Sequence, residues 1–327
     1  MRDFTGKVRP RVRQEVTNLI GAMAARRASR RCLNLMYSAL PQRQATRVHG
    51  LCHALFADGR QLIDEGSWSV TFAGKRITLP LTAERAWQEW DAAVAILGHD
   101  PEVKTTYANL LRSPRRPRVF FDVGANYGLH SLLFLAHGVR TISFEPNPEC
   151  HGYLQSVCRL NRLPCDIRAL ALSDQEGPAE LWFPEHQTWM GTTDAEARDS
   201  LPGDRTLRSI TVEKTTMDAF VARSGIQPDL IKIDTEGNEV QVLRGARETL
   251  RGLRPLVIFE SWSRAREGVM ETLEECGYRI ASLPREPASA ARLLDGFSFR
   301  QHPGENFIGI AAEQMGRKSD SWGNCQS

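Results

Sequence analysis

The sequence has no long apolar run. Its longest uninterrupted apolar stretches are short, such as Ala92–Leu97, far below the roughly 20 residues that a membrane-spanning helix needs. A twin-arginine export signal is not indicated either, because the segment after Arg26 and Arg27 contains Asn34 and Ser38 and lacks a small-residue cleavage pattern. We therefore expect a cytoplasmic protein without a transmembrane segment.

Cysteine is present without any of the spacings that give it a structural role. The seven cysteines form no C-x-x-C pair and no cysteine–histidine cluster at zinc-ligand spacing. We therefore expect neither a disulfide framework nor a structural zinc site, and most of the thiols should be reduced and partly buried. The seven are Cys32, Cys52, Cys150, Cys158, Cys165, Cys276 and Cys325.

The small net charge of +3 on the 327 residues hides an uneven distribution. Residues 1–118 hold 20 basic and 10 acidic side chains, whereas residues 119–327 hold 22 and 29. The first 47 residues alone carry 11 basic and 2 acidic side chains. This difference indicates two regions of different character, and the basic region is interpreted as the electrostatic complement of the acidic one.

The pattern of apolar residues also changes near residue 118. Alternating apolar residues on both sides of a turn at Gly74-Lys75 predict a β-hairpin near residues 67–81, within an otherwise helical region. The segment Ser113–Arg118 contains two prolines and cannot continue a helix. We predict a basic, mostly helical N-terminal region over 1–118, an α/β domain over 119–312 and a frayed tail over 313–327.

Beyond residue 118, short β-branched segments alternate with helical ones. This alternation is typical of an α/β fold with a mostly parallel sheet. The predicted strands are Val119–Val123, Thr141–Phe144, Asp166–Leu170, Leu230–Ile233 and Leu256–Phe259, with Tyr278–Ala281 and Phe307–Ile310 as later additions.

A glycine-containing loop, Gly124–Gly128, joins the first of these strands to a helical segment. Backbone amides and a helix N-terminus at such a turn favour a polar or anionic ligand. Asn126 stands where a dinucleotide fingerprint has its second glycine, which argues against a nicotinamide cofactor. The next strand ends in Glu145, 21 residues after Gly124, where a carboxylate can accept hydrogen bonds from a ribose diol.

The D-x-G-x-x-x-G spacing resembles the first motif of S-adenosylmethionine-dependent methyltransferases, and further blocks resemble the FkbM-type methyltransferase family. They follow in order as DVGANYGLHSLLF (122–134), FEPNP (144–148), Asn161, ALALSD (169–174), TTMDAFV (215–221), PDLIKIDTEGNEVQVLRGA (228–246), PLVIFE (255–260), GYRI and ENFIGI. The resemblance implies a Rossmann-like methyltransferase sheet of seven strands, mostly parallel with the last antiparallel. It also implies S-adenosylmethionine as cofactor and O-methylation of a sugar-containing or natural-product small molecule.

The resemblance implies a cofactor site at the carboxyl ends of the first three strands. The loop would hold the methionine part, Glu145 the ribose and residues 171–173 the adenine, while Asp122 would orient the loop and the ligand's ammonium group. The implied cofactor residues are Asp122, Gly124, Ala125, Asn126, Gly128, Glu145, Ala171, Leu172 and Ser173.

Three carboxylates, Asp234, Glu236 and Glu260, follow the fourth and fifth strands. Crowded carboxylates raise one another's pKa, so one of them is expected to serve as the base that deprotonates an acceptor hydroxyl. The same oxygens suit Mg²⁺, although we assign no metal site. In a further interpretation, Glu236 and Glu239 only favour the N-terminus of the following helix.

Other residues are secondary candidates. Lys232 lies in a strand expected to be buried and should pair with a nearby acid. His130 is interpreted as a capping or packing residue rather than a base. The irregular segment Pro184–Asp204 is assigned to acceptor recognition, with His186 as a secondary base.

Three alternative functions are left open. A nucleic-acid methyltransferase is disfavoured because the loop after the fourth strand reads D-T-E-G, whose carboxylates would repel phosphates. A non-catalytic S-adenosylmethionine-binding module is compatible with the sequence. A nicotinamide-linked oxidoreductase is disfavoured by Asn126. A small-molecule acceptor is the expected partner, no nucleic acid is expected, and the oligomeric state is not predicted.

Overall fold

The structure is a computed structural model that divides into two compact units. It describes residues 15, 18–19, 21–23, 25–40, 44, 64–82, 89, 92–93, 95–96, 98–114, 116–185, 190–199, 206–284 and 291–315. The first unit comprises Met1–Lys104 and Leu160–Arg162, and the second comprises Thr105–Arg159 and Leu163–Ser327. The proline-containing segment 113–118, where the sequence predicts the boundary, lies within the second unit.

The first unit contains helix α1 (Arg27–Ala39) and the strands β1 (Gly66–Phe72) and β2 (Lys75–Leu81). The two strands pair antiparallel from Gly66 opposite Leu81 to Phe72 opposite Lys75. Ala73 and Gly74 join them with φ angles of 46° and 85°, the positive values that a two-residue hairpin turn requires. The hairpin predicted near residues 67–81 is therefore confirmed, whereas much of the predicted helical N-terminal region lies outside the described residues.

The second unit is built on one large sheet. Its strands are β3 (Val119–Val123), β4 (Arg140–Phe144), β5 (Ile167–Arg168), β9 (Leu230–Ile233), β10 (Leu256–Glu260), β11 (Tyr278–Ser282), β12 (Arg292–Leu293) and β13 (Asn306–Ala311). They lie in the order β12-β11-β13-β10-β9-β3-β4-β5. The five strands β10, β9, β3, β4 and β5 are parallel to one another, so their carboxyl ends share one edge of the sheet.

The strand count differs from the seven expected. In the described residues the sheet has eight strands, because the chain turns back after β11 and the short β12 pairs with Ala281 and Ser282. Strand β13 is antiparallel to β10 and β11, as expected for the last strand, but β12 is also reversed. The mostly parallel α/β fold is confirmed.

Helices precede and connect the strands of the large sheet, and the first of them begins before Thr105, where the second unit starts. They are α2 (Pro101–Arg112), α3 (Leu129–Leu135), α4 (Pro148–Asn161), α5 (Ala195–Asp199), α6 (Met217–Ser224), α7 (Glu239–Arg244), α8 (Arg247–Leu253), α9 (Arg266–Glu275) and α10 (Gly296–Arg300), followed by a 3₁₀ turn at Ala312–Gln314. The side chains of β9 are all buried, as its unbroken apolar pattern around Lys232 predicts. None of the described helices is long and apolar enough to cross a bilayer.

A second, three-stranded sheet was not predicted. Strands β6 (Ala171–Leu172), β7 (Gly177–Pro184) and β8 (Leu207–Thr215) lie in the order β6-β8-β7. Of the predicted strand Asp166–Leu170, only Ile167–Arg168 forms a strand, β5 of the large sheet, and β6 of the second sheet follows after it. The segment predicted as irregular, 184–204, connects the antiparallel pair β7 and β8 and contains α5, and Thr192 bridges back to Trp182.

Candidate active site

Two loops meet at the carboxyl edge of the large sheet. The amides of Gly124 and Ala125 both donate to Phe144 O at 3.0 Å, and the Asp234 amide donates to Val123 O at 3.0 Å. Gly124 has a φ of 77°, and a β-carbon at this position would lie 1.8 Å from Asp234 O. A glycine is therefore required where the glycine loop (Gly124–Gly128) touches the loop that carries Asp234.

The glycine loop and Glu145 form one hydrogen-bonded unit. Asn126 has a φ of 54°, a left-handed conformation that Asn tolerates better than most residues. Its amide donates to Glu145 Oε2 at 2.7 Å, while the Asn147 amide donates to Oε1 at 2.7 Å. Burial raises the pKa of Glu145 to about 7 although both amides act to lower it. The glycine loop, predicted to hold the methionine part, and Glu145, predicted to hold the ribose, are thus brought together.

Asp122 lies beneath the glycine loop at the end of β3. It is 1% exposed, and its Oδ2 accepts a 2.5 Å hydrogen bond from Ser131, whose hydroxyl also lies 2.7 Å from that of Ser143. Its Oδ1 is buried and has no hydrogen-bond partner among the described residues. Burial raises the pKa of Asp122 to about 6. A buried carboxylate oxygen without a donor is a feature that a bound ligand's ammonium group would satisfy.

The predicted adenine-side residues lie on the second sheet. Ala171 and Leu172 form β6, which pairs with β8, and all three of Ala171, Leu172 and Ser173 are buried. The Ser173 carbonyl lies so close to Gly245 that a β-carbon there would be 2.0 Å away. This segment follows β5, the neighbour of strand β4, which ends just before Glu145. No hydrogen bond between described residues joins the segment to the glycine loop.

Asp234 is held by Lys232. The Lys232 side chain is fully buried, and its Nζ donates to Asp234 Oδ2 at 3.0 Å, whereas the Asp234 side chain is 26% exposed. Burial acts to raise the pKa of Asp234, but the ammonium of Lys232, a hydrogen bond with Glu260 and His130 together lower it to about 2. The lysine therefore has the acidic partner that the sequence predicted.

The other two members of the carboxylate cluster (Asp234, Glu236 and Glu260) are shifted in the opposite direction. Burial and the adjacent Asp234 charge raise the pKa of Glu260 well above its usual range, so Glu260 is protonated in the hydrogen bond with Asp234. Burial, Asp234 and Glu239 raise the pKa of Glu236 to about 7. One cluster therefore holds an ionised, a protonated and a titrating carboxyl group at neutral pH.

The D-T-E-G loop that carries Glu236 is held from two sides. Glu239 Oε1 accepts hydrogen bonds from the Thr235 amide and hydroxyl at 3.0 Å and from the Gly237 amide at 3.1 Å. The Thr192 hydroxyl donates to Glu236 O at 2.9 Å. Glu236 itself has a φ of 53°, an uncommon conformation for this residue type that its surroundings must maintain. Glu239 therefore has a structural role, whereas the Glu236 carboxylate makes no hydrogen bond or ion pair within the described ranges.

The structure also locates the secondary candidates. The His130 Nδ1 lies 3.1 Å from the hydroxyl of the buried Tyr107, and the two rings meet edge to face. His130 is close enough to Asp234 to affect its pKa. His186 lies outside the described residues. In the part of the chain that the structure describes, no three His, Cys, Asp or Glu side chains are grouped so as to hold a metal ion.

Sequence reasoning missed two side chains beside the cluster. Trp262 and Arg264 follow β10 directly, and the Arg264 guanidinium lies over the Trp262 ring, 5.1 Å from its centroid. Their signal is present in the sequence as E-S-W-S-R, an aromatic and a cation just after the strand-end Glu260.

Comparison with known proteins agrees with the predicted resemblance. Residues 122–280 match the family model described as a methyltransferase FkbM domain. The chain is 25% identical over 150 residues to the hexuronic acid methyltransferase AglP of Haloferax volcanii, covering 46% of this chain and 58% of that protein. It is 27% identical over 199 residues to the methyltransferase sdnD of Sordaria araneosa, covering 53% and 71%. The chain thus spans less than two thirds of the first of these relatives.

Two solved structures are similar to this chain at a distance. The methyltransferase FkbM of Methylobacillus flagellatus is 17% identical with a TM-score of 0.37, covering 70% of this chain and 56% of that one. An S-adenosylmethionine-dependent methyltransferase of Agrobacterium tumefaciens is 14% identical with a TM-score of 0.39, covering 75% and 70%.

Proposed function

Because residues 122–280 form a methyltransferase FkbM domain, we propose that this chain is an S-adenosylmethionine-dependent O-methyltransferase acting on a hydroxyl of a small molecule. We propose a sugar-containing compound or natural product as acceptor. The names of the two curated relatives are consistent with methyl transfer, and one of them acts on a hexuronic acid. The observation that carries the proposal is the backbone contact between the glycine loop and the loop bearing Asp234.

The glycine loop and its neighbours fit this cofactor. The orphaned Asp122 Oδ1 offers a buried acceptor for an ammonium group, and Glu145 is fixed by two amides where a ribose diol would lie. No phosphate has to be accommodated, which suits two buried acids at this edge. The further residues proposed to line the cofactor are Gly124, Ala125, Asn126, Gly128, Ala171, Leu172 and Ser173.

Bound S-adenosylmethionine supplies a methyl group on a positively charged sulfur, so the protein has to position the acceptor oxygen and remove its proton. Among the three carboxyl groups, we assign the base to Glu236. Asp234 is a weak base because Lys232 stabilises its ionised form, and Glu260 already holds a proton. Burial and neighbouring acids raise the pKa of Glu236 to about 7, which suits a general base at neutral pH. Glu236 then takes the single proton of the hydroxyl, while Asp234 and Glu260, joined by their own hydrogen bond, line the acceptor site beside it.

The first test is binding of S-adenosylhomocysteine by calorimetry, followed by a mass-spectrometric screen of glycosides and natural products for a methyl gain. We expect binding and transfer to a hydroxyl. Failure to bind S-adenosylhomocysteine contradicts the proposal. Binding without transfer to any acceptor supports a non-catalytic module, and transfer to RNA or DNA supports a nucleic-acid methyltransferase.

The second test replaces the base. Glu236→Gln should lower kcat by about 10²- to 10⁴-fold, because proton removal is lost, and leave the affinity for S-adenosylhomocysteine unchanged. In the intact chain, kcat should rise with pH through about 7 as Glu236 loses its proton. Glu213→Gln removes an exposed carboxylate on β8 and is the matched control. An unchanged kcat in Glu236→Gln excludes Glu236 as the base.

A further inference from the structure

Arg264 is held in place by an aromatic ring at the carboxyl edge of the sheet. Its guanidinium lies 5.1 Å from the centroid of the half-buried Trp262 ring. A guanidinium at this distance is attracted electrostatically to the face of the ring, which favours a position over the indole. An otherwise exposed arginine is thereby given a preferred position.

The guanidinium lies directly against the D-T-E-G loop. A β-carbon at Gly237 would be 2.9 Å from Arg264 Nη2 and 3.0 Å from Ala197 Cβ of α5. Gly237, with a φ of 110°, therefore leaves the space that Arg264 occupies beside the residue assigned as base, Glu236. The position places a cation at the rim of the proposed acceptor site.

Among the described residues, no protein group accepts a hydrogen bond from Arg264. Within the described ranges Arg264 makes no hydrogen bond and has no carboxylate oxygen within 4.0 Å, although acidic residues are plentiful at this edge. A guanidinium that is oriented but has no anionic partner is suited to a bidentate hydrogen bond with a carboxylate or phosphate group.

The neighbouring cations are in a different situation. Lys232 is neutralised by Asp234 at 3.0 Å. Arg266 is buried and donates to a set of backbone carbonyls, those of Ser261, Phe299, Arg300, His302 and Gly304. Lys232 and Arg266 therefore have partners within the protein, whereas Arg264 has none among the described residues.

From this geometry, and resting on the proposed function, we propose that Arg264 binds an anionic group of the acceptor while Trp262 orients the guanidinium. The acceptor is then an acidic compound that carries a carboxylate or a phosphate near the methylated hydroxyl. A carboxylate and a phosphate would accept the same hydrogen bonds from Arg264, and the experiment below distinguishes between them.

The test uses the full chain saturated with S-adenosylhomocysteine and three matched probes. These are p-nitrophenyl β-D-glucuronide, p-nitrophenyl 6-phospho-β-D-glucoside and the uncharged p-nitrophenyl β-D-glucoside, with each Kd measured by calorimetry or ligand-observed NMR. We expect at least one anionic probe to bind about tenfold or more tightly than the glucoside, because the anion accepts charge-assisted hydrogen bonds from Arg264 that the uncharged glucoside cannot accept. The tighter of the two anions identifies the source.

Variants connect the preference to the residue. Arg264→Met should abolish the preference for the anion, and Arg264→Lys should retain part of it as a point charge. Arg140→Met is the matched control. It removes an exposed arginine at the amino end of β4, away from the carboxyl edge that carries the site, and should leave the preference for the anion unchanged.

The outcomes separate the two proposals. Absence of S-adenosylhomocysteine binding overturns the proposed function. If that ligand binds, the assignment of Arg264 is overturned by equal affinities for charged and uncharged probes, by failure of every probe to bind, or by an anion preference that survives in Arg264→Met.

Discussion

The glycine loop and the carboxylate cluster lie side by side but are built in different ways. The glycine loop is fixed by backbone geometry, with the amides of Gly124 and Ala125 on one carbonyl and the amide of Asn126 on Glu145. The carboxylate cluster is fixed by side-chain charges, in which Lys232 holds Asp234 ionised and Asp234 in turn keeps Glu260 protonated. The glycine loop therefore depends on backbone conformation, whereas the carboxylate cluster depends on which of its carboxyl groups carry a proton.

The largest expected effect breaks the contact between the two halves. Gly124→Ala should lower the free energy of unfolding by about 3 to 5 kcal/mol, because the new methyl group meets Asp234 O in a strained left-handed conformation. Gly138→Ala is the matched control, with a φ of 75° and nothing within 4 Å, and should cost only about 1 to 2 kcal/mol. Urea denaturation measures both, and equal losses would show that the close approach is unimportant.

The next effect tests the charge balance of the cluster. Asp234→Asn should lower the free energy of unfolding by about 2 to 3 kcal/mol, at or below the lower end of the range for a broken buried pair because Asp234 is 26% exposed. The double variant with Lys232→Met should recover most of this loss, because no buried ammonium is left unpaired. A double-mutant cycle by urea denaturation measures the coupling, and additive losses would contradict the pairing.

A smaller effect concerns how the affinity for the cofactor product S-adenosylhomocysteine changes with pH. Because the pKa of Glu145 is raised to about 7, its carboxyl is ionised at pH 8 and largely protonated at pH 6, where it accepts fewer hydrogen bonds from a ribose. We expect the affinity for S-adenosylhomocysteine to fall about three- to tenfold between pH 8 and pH 6. Calorimetry at both values measures it.

Asp122, with a pKa of about 6, titrates in part of the same range. The variant Glu145→Gln is therefore the control, since it removes the Glu145 contribution and leaves that of Asp122. If the intact chain and Glu145→Gln show the same pH dependence, Glu145 does not contact the ribose.

The two halves also differ in how much of them the sequence predicts. The glycine loop follows from the order strand, glycine, helix, because backbone geometry at such a turn is a local property. Glu145 follows from its place at the next strand end. The eighth strand β12 was missed, since a two-residue pairing such as Ala281 and Ser282 with Leu293 and Arg292 leaves no periodic pattern. Strand β8 of the second sheet was missed because most of its side chains are exposed or half-buried, so it carries little apolar alternation.

The carboxylate cluster is only partly readable from sequence. Its members are visible as strand-end acids, but their protonation depends on Lys232 and on mutual distances that only the folded chain sets. The structure distinguishes the roles of Glu236 and Glu239, because only the Glu239 carboxylate accepts hydrogen bonds from Thr235 and Gly237. The spacing E-G-N-E does not reveal this difference. Arg264 and Trp262 were missed because what links them is the contact of the guanidinium with the indole ring, and no sequence motif predicts that contact.

The smallest expected effect tests whether the D-T-E-G loop affects only the reaction of the acceptor and not the binding of the cofactor. Thr192→Val removes the hydroxyl that donates to Glu236 O and accepts from the Asp194 amide, and should cost about 1 kcal/mol of unfolding free energy.

The kinetic signature of this variant distinguishes the two halves. Because Glu236 is displaced and the glycine loop is not, kcat/KM for the acceptor should fall several-fold while the affinity for S-adenosylhomocysteine stays unchanged. Thr211→Val removes a comparable hydroxyl, bonded to Glu180 on the second sheet, and should alter neither quantity. An equal loss of cofactor affinity in Thr192→Val would mean that the glycine loop and the carboxylate cluster move together, because the backbone contact at Gly124 then transmits the displacement.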